Sequence, residues 1–511
     1  MRTPSIVQKG WFIPAVFFAI AIPLALALMG LNRPYDAIPD QDLLWASEAL
    51  RLHSGRGPSY ADHPGVYWTL SFLLKLKYLP TIGIDFLTKD GFLSPDGAKN
   101  LIQISRLENG LLCGLCSISF IPIMRCLGIS RILTIAGMTT IACSTGLLTA
   151  VSEIRNEITS VIFMSSYINL NLLASNIKNN SNAHISNRTS IALALIAIPC
   201  FFAAAFCKQQ VLLASPLIFV AALASNKGSL KTATTSLRKK PHLAWLAVLL
   251  IGLLPWIFAD SPDIDLINAP FWIAINLGLW ITLSATSSLP QTVKNHWQLG
   301  LFIGITEIAT TKVLAFNWWR QAVTGFPSWM FYNANHKDQV QQGVAALIHY
   351  AQDSSVLIAL CGVSLFVVIV QLIYQVTTSD PSRQAQLQLF SIGFSLILLI
   401  ANTARFAVRY EIYFFPAIFI SLLWITSTSF QRQNQNIALK FSSLTLISLI
   451  AIRSILNLTA LPTLINEAQP RSFLCFGQHM DRLMELTSAG SCKNFEEAAI
   501  GKNQYDSKNG P

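Results

Sequence analysis

The chain has 511 residues, of which 52% are hydrophobic and only 12% are charged. Soluble globular proteins carry about 25% charged residues, so this composition excludes a soluble protein and indicates a chain that lies largely in lipid. The net charge of +11 does not indicate a nucleic-acid-binding protein, because its 36 lysines and arginines form no basic domain. We therefore expect membrane lipids, and no nucleic acid, among its partners.

Apolar segments recur along most of the chain. A helix needs roughly 20 apolar residues to cross a hydrocarbon core of about 30 Å, and by this criterion the sequence predicts an all-α polytopic membrane protein of about 13 transmembrane helices. The first segment follows Arg2 and Lys9 as in a signal peptide. Its apolar run is about twice the usual length for one, so we predict a retained span. The predicted spans lie near 11–31, 107–124, 132–150, 158–177, 190–206, 209–226, 243–259, 271–289, 298–316, 354–376, 387–404, 411–429 and 441–457.

Charge asymmetry predicts the orientation of these spans. Short loops that are rich in lysine and arginine stay on the cytoplasmic side of the membrane. This places the N-terminus and the basic loop at 227–242 inside. Acidic residues collect on the other face. The prediction is a transmembrane domain at 1–457 with long external loops at 32–106 and 317–353, followed by an external C-terminal tail at 458–511.

The first external loop carries a cluster of acids, in the run Pro39-Asp40-Gln41-Asp42-Leu43-Leu44-Trp45. Asp40 and Asp42 point to opposite sides of a helix but share a face of an extended strand. A carboxylate here can take a proton from a hydroxyl, and we rank Asp40 first as this general base. Asp42 is then a helix cap or the alternative base; both acids could also merely cap and solvate the helix start.

Further along the same loop the sequence reads Asp62-His63-Pro64-Gly65. A residue before proline is extended, which turns the His63 side chain away from a helix path. His63 could donate to a phosphate or orient an acid such as Asp62, or the motif could simply form a turn. Polar and apolar residues alternate at helical spacing over 40–53 and again over 66–78, so the loop is predicted to carry interfacial helices.

Cations near the predicted external face are candidate phosphate ligands. Arg405 and Arg409 are four residues apart and share a helical face, with Tyr410 beside them. Arginine binds phosphate with paired hydrogen bonds, although anchoring at the interface is the alternative. Lys208 could contact a phosphate or mark a helix end. Arg320 lies in an aromatic-rich segment that could instead form an interfacial belt.

Other polar residues give weaker signals. Glu153, Arg155 and Glu157 could form a structural charge network, and Glu307 lies within a predicted span, where an acid is costly enough to suggest a function. Cys113 and Cys116 read as buried small residues. Whether Cys475 and Cys492 of the external tail form a disulfide stays open. No spacing predicts a metal site, so no cofactor is predicted, although the external acids could hold a divalent cation.

These motifs resemble those of the GT-C superfamily of integral membrane glycosyltransferases, which includes the protein O-mannosyltransferases and the aminoarabinose transferases of lipid A. The resemblance rests on the acids, the aromatic residue and His-Pro of the first loop, on Lys208-Gln209, and on Arg409-Tyr410 followed by Pro416. Those enzymes usually have adjacent Asp-Glu, a Tyr and His-Pro-Pro. Here Gln41 separates the acids, Trp45 is the aromatic residue, and Gly65 follows Pro64.

The resemblance implies a GT-C-like helical bundle with an external catalytic loop. It also implies a polyprenyl- or dolichyl-phosphate-linked sugar donor, transfer with inversion, and an acceptor that is a cell-surface glycan, a lipid or a protein. The expected location is the bacterial inner membrane, with the active site on the periplasmic side.

A transporter or flippase of lipid-linked saccharides is the alternative. Such proteins tend to have related halves and broken helices at the membrane midplane. The sequence shows no related halves, and its candidate polar residues crowd the external face. A catalytically silent membrane scaffold would leave the acidic and His-Pro cluster unexplained.

Overall fold

The computed structural model describes the chain in several separate stretches. The predicted spans 354–376 and 387–404 lie outside these described residues, as does 209–226 apart from Val211. The described residues are 12–31, 88–89, 92–93, 95–151, 157–180, 185–208, 211, 246–253, 276–277, 279–280, 296–314, 345, 411–431, 444–445, 447–452, 456 and 459.

The described residues are mostly helical. A two-stranded antiparallel ladder precedes the second helix and pairs β1 (Thr88–Lys89) with β2 (Phe92–Leu93). Shorter helical stretches lie at 246–253 and 447–452. The labelled helices are α1 (Phe12–Met29), α2 (Pro95–Ser119), α3 (Ile121–Cys126), α4 (Arg131–Ala142), α5 (Thr145–Val151), α6 (Glu157–Asn180), α7 (Ile185–Cys207), α8 (His296–Leu314) and α9 (Glu411–Gln431).

These helices confirm a mostly helical fold with candidate membrane spans. Within the described residues, three stretches are long and apolar enough to cross a membrane: Phe12–Met29, Gln103–Cys126 and Arg188–Ala205. A fourth is added if the bent pair α4 and α5 is counted as one span. Helices α1, α6, α7, α8 and α9 coincide with predicted spans to within a few residues. The predicted count of about 13 is not confirmed by these stretches of the chain.

Helix α2 begins at Pro95, well before the predicted span near 107–124. The final part of the predicted loop 32–106 is therefore helical. Proline is well suited to the first position of a helix, because its fixed φ is already helical and it lacks the N–H that would be unpaired there. The early turns contain Asp96 and Lys99, which is why hydropathy alone placed the span later.

The span predicted near 132–150 is broken. Helix α4 ends before Cys143 and α5 starts at Thr145, and the two axes are bent by 51°. The Ser144 N–H donates to Ile141 O at 3.1 Å, a tightened final turn, while Ser144 O accepts from the Leu148 N–H and starts the next helix. No proline marks the break. The run Ser144-Thr145-Gly146 beside it is a signal that a search for apolar spans does not use.

The turn between α3 and α4 is built by a glycine. Gly128 has φ +75°, and its N–H and that of Ile129 bond to Arg125 O and Met124 O, which is a Schellman motif. Ser130 then caps α4 by accepting from the Leu133 N–H. Ser427, near the end of α9, donates to Gly128 O at 3.4 Å.

Helices α1 and α2 are packed unusually closely. A Cβ atom on Gly110 would lie 2.6 Å from Ala27 Cβ, and one on Gly114 would lie 2.8 Å from Ile20 Cα. Neither distance is possible without moving the helices apart. Close approach through small residues is a common way for membrane helices to associate, and here it fixes α1 against α2.

Candidate functional site

The described helices alternate between two ends of the bundle. We call the end at which α1 ends and α2 begins the loop end, because the segment 32–94 leaves and returns there. The turn at Gly128 defines the opposite end. Because α9 ends beside this turn, α9 begins at the loop end. Helices α5 and α7 end, and α6 begins, at the loop end as well.

Arg106 and Asn109 lie on α2 at the loop end. Arg106 Nη1 donates to Gly30 O and Leu31 O at 3.2 Å each. Asn109 Nδ2 donates to the carbonyl oxygen of the last residue of α5, Val151, at 3.5 Å and to that of the residue before it. Both side chains are buried. These contacts tie the ends of α1 and α5 to neighbouring positions of α2.

Lys208 forms a buried ion pair with Glu157, which sequence reasoning did not predict. Lys208 Nζ lies 2.9 Å from Glu157 Oε1, and the two side chains are 5% and 1% exposed. Glu157 is the first residue of α6 and Lys208 directly follows the last residue of α7, so each charge also complements the dipole of its own helix. One turn further in, Ser160 Oγ donates to Ala204 O at 3.0 Å.

The energetics of this pair are asymmetric. Removing one partner of a buried ion pair costs about 3–5 kcal/mol, because the other charge is left without compensation, whereas replacing both can be neutral. The pair therefore holds α6 to α7. It also keeps an ammonium group at the loop end, buried in protein.

Glu411 adds another buried charge at this end. It is the first residue of α9 and 1% exposed. Helix α9 packs on α4, α5 and α6. Its start directly follows the predicted phosphate ligands Arg405, Arg409 and Tyr410 in the chain.

Of the predicted site residues, only Lys208 lies among the described residues. The predicted tail 458–511, apart from Thr459, and the predicted loop 317–353, apart from Ala345, also lie outside them. So do both tail cysteines, Cys475 and Cys492. The remaining predicted site residues outside the described part of the chain are Asp40, Asp42, Asp62, His63, Arg320, Arg405, Arg409 and Tyr410.

The weaker sequence signals have mixed outcomes. Cys113 and Cys116 are fully buried free thiols, as predicted. Glu307 is fully buried in α8, in the region where a span near 298–316 is predicted. Glu157 pairs with Lys208, and its predicted partners Glu153 and Arg155 lie outside the described residues. Among the residues that the structure describes, no group of three or more His, Cys, Asp or Glu could hold a metal ion.

Sequence reasoning also missed Arg106 and Asn109. One available signal was that Arg106 is a cation at a predicted external helix end, which runs against the positive-inside bias. The same signal singled out Arg405 and Arg409. The carbonyl partners of Arg106 are 75 and 76 residues away in the chain, so no local pattern identifies them.

Comparisons with known proteins show similarity of fold. No protein-family model matches the chain, and no curated protein matches it. The fold is similar to that of the archaeal oligosaccharyltransferase AglB from Archaeoglobus fulgidus in complex with an inhibitory peptide and a dolichol-phosphate. The TM-score is 0.52 at 11% identity, covering 91% of this chain and 56% of that one.

The apo form of the Archaeoglobus fulgidus oligosaccharyltransferase gives a TM-score of 0.51 at 11% identity, covering 90% of this chain and 57% of that one. The chain thus spans a little over half the length of these neighbours. At 11% identity this similarity is one of fold alone. It does not distinguish the O-mannosyltransferase and aminoarabinose transferase subtypes.

Proposed function

We propose that this protein is an integral membrane glycosyltransferase that works at the loop end and uses a lipid-phosphate-linked sugar as donor. The observation that carries the proposal is the concentration of buried charge at that end, in a fold similar to an oligosaccharyltransferase. Two of the segments that carry predicted site residues join the described helices at the same end. The chain leaves α1 toward Asp40 and enters α9 directly after Tyr410.

Positive groups are proposed to hold the donor phosphate. Lys208 lies at the loop end, and Arg405 and Arg409 come shortly before α9 in the chain. A phosphate near Lys208 would compete with Glu157 for the ammonium group. The solved neighbour with a dolichol-phosphate lends support, because that ligand has the same chemistry as the leaving group proposed here. Arg320 is a further candidate cation.

The transfer step needs one carboxylate and these cations. The acceptor hydroxyl attacks the anomeric carbon from the face opposite the phosphate, and its proton passes to Asp40, with Asp42 as the alternative base. The bond between the anomeric carbon and the phosphate oxygen breaks, and the prenyl phosphate leaves with its electron pair. Inversion follows, and no covalent enzyme intermediate forms. Preorganised positive charge on the leaving group can be the largest contribution to such catalysis.

The remaining predicted residues are assigned supporting roles. His63, with Asp62 beside it, is proposed to donate to the phosphate or orient the base, and Tyr410 to line the donor site. The acceptor is a glycan, a lipid or a protein. We place the loop end on the periplasmic side of a bacterial inner membrane, from the charge asymmetry of the loops. Reporter fusions after residue 235 and at the C-terminus should then report opposite compartments.

The activity can be tested directly. Purified protein is incubated with radiolabelled prenyl-phosphate sugars and a membrane extract, and the products are separated to find which one gains label. We expect label to move from the donor into an extract component. Absence of transfer with every donor, from protein that is folded and binds the donor, would refute the proposal.

One observation favours a second candidate, a flippase of lipid-linked saccharides. The break between α4 and α5 is a discontinuous helix of the kind that transporters use near a substrate. In vesicles with reconstituted protein, a flippase would move labelled prenyl-phosphate sugar between leaflets without forming a new product. A transferase would convert the donor in the presence of acceptor.

A further inference from the structure

Two side chains of α2 donate hydrogen bonds to backbone carbonyl groups at the ends of two different helices. Arg106 and Asn109 are three residues apart, so they share a helical face, and both are 3% exposed. The last carbonyl groups of a helix have no partner within that helix. Arg106 donates to the two carbonyl groups that directly follow α1, at Gly30 and Leu31, and Asn109 donates to those that end α5.

The carbonyl groups that accept these hydrogen bonds lie where the chain leaves a helix and enters a segment at the loop end. From Leu31 the chain runs into the segment that contains Asp40 and Asp42. From Val151 it runs through five residues to Glu157, which is paired with Lys208. The two side chains therefore hold the points at which two of the segments near the proposed site leave the described helices.

Docking of α1 does not require Arg106. The contacts of Gly110 and Gly114 already hold α1 against α2 along its length. At the end of α5, the neutral amide of Asn109 is enough to donate hydrogen bonds to the terminal carbonyl groups. Arg106 therefore acts on the final turn of α1, where a cation is further favoured by the helix dipole.

We propose that Arg106 and Asn109 are positioning residues that fix the departure points of the segments 32–94 and 152–156 relative to each other. The proposal rests on the transferase function proposed above. Its expected effect is on the geometry of transfer, since a displacement of about 1 Å at reacting groups can cost on the order of 10²-fold in rate.

The chain offers a matched control for these contacts. Asn169 Nδ2 donates to Ser119 O at 2.6 Å, which is the same type of bond to the end of α2, but toward the opposite end of the bundle. The test compares Arg106→Gln, Arg106→Lys and Asn109→Leu with Asn169→Leu in the full-length protein. For each variant, kcat, donor KM, thermal stability and hydrogen exchange are measured.

The two positions at the loop end should behave differently from the control. We expect Arg106→Gln and Asn109→Leu to lower kcat by roughly tenfold or more with donor KM changed by less than about threefold. Arg106→Lys should recover much of the rate, because the ammonium group can still donate to both carbonyl groups. Exchange should accelerate at the Gly30 and Leu31 amides in Arg106→Gln. Asn169→Leu should keep wild-type kcat.

Two results would overturn the inference. One is a loss of kcat that simply follows the loss of thermal stability in all variants, Asn169→Leu included. The other is unchanged exchange at the end of α1 in Arg106→Gln. If the wild-type protein transfers no sugar, the proposed function fails, and the exchange measurement alone decides whether Arg106 holds the end of α1.

Discussion

The two ends of the described bundle bury polar groups of different kinds. Toward the opposite end the buried and partly buried contacts are mostly neutral: Ser165 and Asn169 donate to Ser119, and Ser190 donates to Ala174 O. Beside neutral groups such as Asn109 and Ser160, the loop end also buries charged groups. They are Arg106, Glu157, Lys208 and Glu411.

This difference shows that helix ends do not require charge. Hydroxyl and amide groups satisfy backbone carbonyls toward the opposite end, and burying an ion costs far more than burying a neutral group. A protein that maintains several buried charges at one end has a use for them there. Binding of a lipid phosphate is the use that we propose.

The largest effect is expected from breaking the ion pair at the loop end. Lys208→Met leaves Glu157 buried without its cation and should destabilise the protein by about 3–5 kcal/mol. The double variant Lys208→Met with Glu157→Gln should recover most of that stability, since it buries no uncompensated charge. Thermal unfolding of the wild-type protein and these two variants measures this.

The same double variant separates structure from function. If Lys208 also contacts the phosphate, the restored protein should bind the labelled lipid donor more weakly than wild type. A stable double variant with wild-type donor affinity would leave Lys208 as a purely structural residue. The phosphate ligands would then have to lie among Arg320, Arg405 and Arg409.

The next largest effect concerns the base. Asp40→Asn keeps the size of the side chain but removes its basicity, so we expect the initial transfer rate at saturating donor to fall about 10²-fold or more. Asp42→Asn should have a smaller effect if Asp42 is a helix cap, where an amide serves nearly as well. Donor binding is measured in parallel. Collapse of Asp42→Asn alone would move the base to Asp42, and normal rates in both would refute a carboxylate base in this loop.

A smaller loss of turnover is expected when the arginines before α9 are replaced. Arg409→Lys keeps the charge but loses the paired hydrogen bonds, so turnover should fall by about tenfold, in line with hydrogen bonds to charged groups. Arg405→Lys should act in the same direction. Full activity of both variants at normal expression would place the phosphate contacts elsewhere.

The smallest effect is expected away from the loop end. Asn169→Ala removes one hydrogen bond to Ser119 O and should lower stability by about 1 kcal/mol. The transfer rate of the folded fraction should not change. Thermal unfolding and initial rates on the same preparation measure both quantities. A lower rate here would show that the distinction between the two ends has no functional meaning.

Much of the fold could be predicted because membrane helices follow from local composition. Helices α1, α7 and α9 lie where long apolar runs predict them. The break at Cys143 was not predicted, because no proline accompanies it and the short run Ser144-Thr145-Gly146 lies inside a longer apolar stretch. The early start of α2 could have been predicted from the sequence, because Pro95 after Ser94 is a helix-start pattern. A search for apolar spans does not use this pattern.

The site was less predictable because its contacts are distant in the chain. The sequence drew attention to Lys208 as a cation beside an apolar run, but its partner Glu157 is 51 residues away. Periodicity and spacing describe one segment at a time. The pairing of Glu157 with Lys208 instead depends on which helices end together, and that is a property of the assembled bundle.

Cross-linking with a photoreactive prenyl-phosphate sugar tests the central claim most directly. The purified protein is irradiated with the labelled analogue, with and without excess unlabelled donor, and the modified peptides are identified. We predict competable labelling of loop-end peptides, those that span 151–160, 204–211 and 405–415. Competable labelling confined to the opposite end, around 120–131 and 180–190, would contradict the account.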